Sequence, residues 1–127
     1  MSGALPSDRR YTATHEWVKE EAGEVVIGIT DHAQSELTDI VFVELPAVGK
    51  PVTAGGTVLV LESVKTVADI YAPVDGTVAS VNLELKAHPE FVNQDPYGKG
   101  WLVRIRAAKA VDASGLMDGA AYQASLG

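Results

Sequence analysis

Thr57-Val58-Leu59-Val60-Leu61-Glu62-Ser63-Val64-Lys65-Thr66-Val67-Ala68-Asp69-Ile70-Tyr71 is the stretch that decides how this chain is read. Two runs of strand-forming residues, Thr57 to Glu62 and Thr66 to Tyr71, are joined with almost no room for a loop, which is the pattern of a tight β-hairpin. The tip of such a hairpin normally takes Asn-Gly, Asp-Gly or paired glycines, because its central residues need positive φ. This tip offers Val64 and Lys65 instead. The placing of that lysine suggests a use other than turn stability, while on spacing alone the plainer reading of a solvated lysine on a loop stays open beside it. A Schiff-base amine would need a lowered pKa, and the nearby Glu62 and Asp69 favour the protonated form. An exposed lysine on a rigid tip is better suited to be an acceptor for covalent attachment by another enzyme.

Outward from the hairpin, period-two and continuous apolar runs broken by Gly and Pro predict more strands. Residues 15–20 and 24–30 form a second hairpin around Ala22-Gly23, and strands follow at 40–45, 76–83 and 101–105. Asp31 offers an N-cap with Gln34 as its reciprocal partner, which predicts a short helix over 31–37. The alanine-rich tail, 112–126, reads as helical, weakened by Gly115 and Gly119. Pro46-Ala47-Val48-Gly49 and Pro73-Val74-Asp75-Gly76, 27 residues apart, each precede an apolar strand. Together these features predict a mainly β fold: a flattened β-barrel or sandwich of two small antiparallel sheets related by pseudo-symmetry, with short helices at 31–37 and near the C-terminus. A parallel sheet would need helices between its strands, and the pattern lacks them.

The 127 residues suit a single domain, 1–127, with a core over about 11–107 and the tail beyond it. Hydrophobic residues at 46% and charged ones at 21% are in the ordinary globular range. There is no cysteine, which excludes disulfides and thiolate chemistry. Seventeen acidic against ten basic residues give a net charge of -7, and the lysines and arginines form no run. Nucleic acid and anionic lipid both need clustered positive charge, so neither is an expected partner. No stretch approaches the ~20 apolar residues of a membrane span. Residues 1–10 carry neither an apolar signal core nor an arginine-rich presequence. The expected location is cytoplasmic, or the mitochondrial matrix for a mature organellar form.

Catalytic motifs fail one by one. His15, His32 and His88 stand apart in sequence, and His15-Glu16 has Lys19 where a zinc-protease helix needs its second histidine. No serine sits in a nucleophile elbow. Gly55-Gly56 lacks the rest of a phosphate loop, and Asp95-Pro96-Tyr97-Gly98 is turn chemistry. No acid–base or nucleophile set remains, so the chain does not read as an enzyme.

Glu62-Ser63-Val64-Lys65 on a hairpin, followed by Tyr71-Ala72-Pro73, resembles the lipoylation site of the glycine cleavage system H-protein family. Further blocks agree in order: His15-Glu16-Trp17, Val26 to Gln34, Asp39 to Pro46, and Val92 to Trp101, so the likeness runs from about Tyr11 to Tyr122. Biotin carriers usually place methionines beside the modified lysine; Val64 and Thr66 here favour lipoate. One departure is Thr38, where the family usually has glycine; a side chain there resists positive φ.

The resemblance implies a lipoyl/biotinyl-domain-like fold and a carrier that does not itself turn over substrate. Lys65 would hold lipoic acid through an amide, with Glu62, Ser63 and Val64 as flanking recognition residues for a lipoate-attachment enzyme. A pyridoxal-phosphate glycine decarboxylase would load an aminomethyl group onto the lipoyl sulfur. A tetrahydrofolate-dependent aminomethyltransferase would unload it, and a flavin-dependent (FAD) dihydrolipoyl dehydrogenase would reoxidise the dithiol. Thr14, Glu16 and Asp69 would dock the loaded arm, whose amine is cationic near neutral pH. High acidity and a carrier's accessibility favour a monomer. Two alternatives stay open: a relay donating lipoate to other complexes, and a β scaffold that is never lipoylated and serves as an interaction module.

Overall fold

The computed structural model describes residues 5–109 and 115–126. Along the chain run β1 (Arg10–Tyr11), β2 (Glu16–Glu21), β3 (Glu24–Ile29), α1 (Asp31–Leu37), β4 (Ile40–Glu44), β5 (Pro51–Val52), β6 (Thr57–Ser63), β7 (Val67–Tyr71), β8 (Gly76–Val81), α2 (Glu84–Ala87), α3 (Phe91–Gln94), β9 (Val103–Ala107) and α4 (Gly119–Ser125). The strands form a six-stranded sheet in the order β1-β2-β3-β9-β8-β5 and a three-stranded sheet in the order β4-β6-β7. Every pairing is antiparallel. Neither sheet closes on itself, so of the two shapes expected the chain builds the sandwich. The two Pro-x-x-Gly units meet: the strand after Gly49 pairs with the strand starting at Gly76, through Pro51↔Thr77 and Val52↔Gly76.

Period two explains the main core. Val25, Ile27 and Ile29 of β3 point between the sheets and meet Val43, Leu61, Ile70, Val78, Val103 and Ile105. Leu85 and Val92, from α2 and α3, close one end. The opposite face of β3 is buried as well, by a smaller cluster of Tyr11, Trp17, Val26 and Tyr122. Gly28 is required there: a Cβ at that position would stand 2.5 Å from the Trp17 indole, its cross-strand partner. No helix among the described residues is long and apolar enough to cross a membrane.

Local readings differ from the structure in a few places. Asp31 does not cap α1. Thr30 does, in extended backbone, with its hydroxyl accepting from the N–H of Ala33 at 3.2 Å. Tyr122 anchors that hydroxyl at 2.7 Å, a tertiary contact with no local signal. Gln34 and Asp31 do pair, at 2.9 Å, but inside the helix. The strand expected to reach Leu83 stops at Val81, because Asn82 turns the chain, its amide donating to the carbonyls of Lys99 and Trp101. The strand expected over 101–105 is shifted to Val103–Ala107. The expected tail helix is reduced to Gly119–Ser125, capped by Asp118; before it, Met117 bridges to Tyr11 through two 2.8 Å backbone hydrogen bonds. Residues 112–114 of that expected helix lie outside the described residues.

Candidate functional site

The β6–β7 hairpin ends in a four-residue loop, Ser63 to Thr66, flanked by the pair Glu62↔Val67. The loop is not built on positive φ, contrary to the rule for the tightest hairpins. Among the described non-glycine residues only His15, Ala22 and Thr38 have positive φ. Serine chemistry replaces it. The Ser63 N–H donates to the Thr66 carbonyl at 2.8 Å, while the Ser63 hydroxyl accepts from the N–H groups of Lys65 at 3.2 Å and Thr66 at 3.0 Å. Such a side chain-to-backbone turn needs no glycine. Turn stability thus rests on Ser63, and the side chains of Val64 and Lys65 are left to face solvent.

A second anchor holds the tip from the side. The Val64 N–H donates to the Asp39 carbonyl at 3.0 Å, and the Lys65 ammonium donates to the Glu36 carbonyl at 3.0 Å. Segment 36–39 is itself clamped by Asn93. Its amide donates to the Thr38 carbonyl at 2.8 Å and its oxygen accepts from the Ile40 N–H at 2.8 Å. Thr38, where a glycine was expected by resemblance, adopts φ 64° and ψ −153°, a region open almost only to glycine. Asn93 was not singled out by sequence reading, since nothing local marks an amide that reaches 53 and 55 residues back.

Of the three residues expected to dock an arm, the structure brings two into contact and leaves the third apart. Glu16 is 1% exposed. One of its carboxylate oxygens accepts from the hydroxyls of Thr12 and Thr14, and the other from the N–H of Tyr71 at 3.3 Å. The carboxylate therefore ties the β1–β2 turn to β7, across the two sheets. Asp69 lies two residues before Tyr71 on β7 and is exposed, as is Thr14. Glu62 is half-buried on β6.

A further polar cluster lies next to the same turn. The His15 ring sits 4.7 Å from that of His32, and its Nδ1 is 2.7 Å from the Tyr122 hydroxyl. Burial, with the neighbouring His32, holds the His15 imidazole below its usual pKa. Burial also pushes the Tyr11 phenol up to about 12 and raises those of Tyr97 and Tyr122. No group of three or more His, Cys, Asp or Glu side chains among the described residues could hold a metal ion.

Comparison with known proteins gives a consistent result. Residues 9–127 match a family described as Glycine cleavage H-protein. The glycine cleavage system H protein of Acinetobacter baumannii strain SDF is 54% identical over 121 residues, covering 95% of this chain and 98% of that protein. Its counterpart from Thermus thermophilus is 52% identical over 122 residues, covering 96% and 95%. The crystal structure of a glycine cleavage system H protein from Mycobacterium marinum superposes with a TM-score of 0.88 at 38% identity, covering 96% of this chain and 98% of that one.

Proposed function

The chain belongs to the glycine cleavage H-protein family, and from that premise we propose that it carries lipoic acid on Lys65 and moves the aminomethyl group of glycine between the enzymes of the system. The family is that of a carrier rather than a catalyst. One observation supports the choice of Lys65 above all: its ammonium extends from a tip fixed by Ser63 and Asp39, and among the described residues its hydrogen bond is to a single main-chain carbonyl. A root that is stiff and an amine that is free to leave its contact are what an attachment point needs.

Attachment is an acyl transfer. The neutral Lys65 amine attacks the carbonyl carbon of an activated lipoyl donor, the C–N bond forms as the bond to the leaving group breaks, and the amine gives one proton to solvent. When bound, the group would supply a dithiolane sulfur able to take up the aminomethyl unit and to be reoxidised afterwards. This chain's part is to hold the root still. About ten bonds separate the Lys65 Cα from the end of such an arm, a reach of roughly 12–14 Å. That is long enough to enter a partner's active site while the β sandwich stays outside.

Thr14 and Asp69, both exposed, are the groups suited to receive a cationic load at the surface, while the buried Glu16 orients the Thr14 hydroxyl. The partners under this reading are the pyridoxal-phosphate decarboxylase, the tetrahydrofolate-dependent aminomethyltransferase, the FAD-dependent dihydrolipoyl dehydrogenase and a lipoate-attachment enzyme. Reconstitution tests it. Glycine decarboxylation by those purified enzymes should depend on the lipoylated chain and be abolished by Lys65→Arg; decarboxylation that persists with the Lys65→Arg chain would overturn the reading.

A further inference from the structure

The outer face of the three-stranded sheet carries an apolar patch next to Lys65 that no described residue covers. A bulge in β4 creates it. The register runs Ile40↔Ser63 and then Phe42↔Glu62, so Val41 is an extra residue on β4. A bulge breaks strict alternation and re-aims side chains. Here it turns two successive apolar residues outward, leaving Val41 52% and Phe42 50% exposed between the buried Ile40 and Val43. Phe42, Glu62 and Val67 lie in register across the three strands, and Glu44, Val60 and Asp69 form the next row on the same face. At about 4.8 Å between strands, Phe42 and Val67 stand roughly 10 Å apart with Glu62 between them. Val67 is 63% exposed, and Val64 on the adjoining loop is 68% exposed.

The face carries one sign of charge. Glu44, Glu62 and Asp69 stand on it, β4, β6 and β7 contain no lysine or arginine, and none of the three acids forms a salt bridge with another described residue. An apolar centre with an acidic rim fits a partner surface that has an apolar recess edged by arginine or lysine.

Reach identifies which partner must touch it. Once the arm is in place, an enzyme can work at its far end, some 12–14 Å from the Lys65 Cα. Before attachment the acceptor is the lysine amine alone, five bonds or about 6 Å from its Cα. The enzyme that forms the amide therefore has to bring its acyl site down onto the tip, and it must cover the rows flanking the loop. We infer that the Phe42–Val67 face is the docking surface for the lipoate-attachment enzyme, with the two apolar side chains supplying the contact and the three acids guiding approach. This inference rests on Lys65 being the lipoylated residue.

Initial rates of lipoylation test it, using the full-length apoprotein at varied concentration with a purified ATP-dependent lipoate ligase, lipoate and ATP. Phe42→Ser and Val67→Ser should each raise the KM for the apoprotein about tenfold, equivalent to about 1.4 kcal/mol, with kcat within about twofold. Thermal unfolding should show at most a small loss of stability, since half or more of each side chain is already exposed. Val48→Ser and Leu83→Ser, which alter exposed apolar residues outside this sheet, should leave KM unchanged. Rising salt should lower kcat/KM, and Glu44→Gln should flatten that dependence. A parent chain that takes no lipoate at Lys65 would contradict the carrier reading and this inference with it. A parent that is lipoylated while Phe42→Ser and Val67→Ser keep its KM would overturn the docking surface alone. So would variants that are lipoylated normally but slow a later transfer step, since the face would then serve another enzyme.

Discussion

The Lys65 ammonium donates to the Glu36 carbonyl, 3.0 Å away in the last turn of α1. The final carbonyls of a helix lack intrahelical partners and carry partial negative charge, so a cation rests well against them. The amine thus rests against a main-chain carbonyl rather than a side-chain partner; under the proposed function, acylation would remove its charge and weaken that contact. Lys65→Met should therefore cost less than about 1 kcal/mol in urea unfolding, and Lys65→Arg less still. A loss well above that would make Lys65 a structural residue.

Thr38 is held in a backbone conformation that disfavours side chains, at φ 64° and ψ −153°. Its own side chain is exposed and, among the described residues, bonds to the adjacent Leu37 carbonyl. Thr38→Gly should stabilise the chain by about 1–2 kcal/mol in equilibrium unfolding, since it removes strain and loses little packing. An unchanged or lower stability would mean the strain is absent.

Glu16→Gln should be destabilising by about 1–3 kcal/mol. The carboxylate accepts from Thr12, Thr14 and the Tyr71 N–H; an amide can present only one oxygen, so one donor faces an NH2 group. Asp69→Asn, at an exposed position, should leave the melting temperature unchanged and shorten the lifetime of the aminomethyl-loaded protein. If Glu16→Gln and Asp69→Asn both leave that lifetime at the parent value, neither residue serves in docking.

His15 makes stability depend on pH below its ordinary pKa of about 6.5. Its folded-state pKa lies below the usual 6.5 because of burial first and His32 second, partly opposed by Glu16 and Glu36. The unfolded chain therefore binds the proton more readily than the folded one. Stability is fully present above the unfolded pKa and is lost as pH falls toward the folded value. Asp8, Glu21 and Glu90 also titrate low, but from carboxylate values, so they act further into acid. Melting temperature should fall from pH 7 to pH 5.5, and His15→Gln should flatten the slope; an equal slope in that variant would assign it elsewhere.

How much of this could be read in the sequence depends on whether the cause was local. The β6–β7 hairpin and the extent of α1 were legible because runs of strand-forming residues and a polar start signal at 31–34 are local patterns. What was missed depends on distant partners. Glu16 was expected, with Thr14 and Asp69, to dock the arm, yet it is buried, because the Tyr71 N–H 55 residues away completes its shell. The cap of α1 went to Thr30 rather than Asp31 because Tyr122, 92 residues on, fixes that hydroxyl. The strand over 40–45 gave no sign of the bulge at Val41, since a bulge depends on pairing with β6 and leaves no mark on its own strand.

The central claim is that Lys65 carries lipoate. The most direct measurement is the intact mass of the chain purified from its native host grown with lipoate, followed by peptide mapping of parent and Lys65→Arg forms. The expected result is the mass of one lipoyl group, located on Lys65 and missing from the Lys65→Arg chain. An unmodified parent mass, or the group found on Lys19, Lys50, Lys86, Lys99 or Lys109, would contradict it.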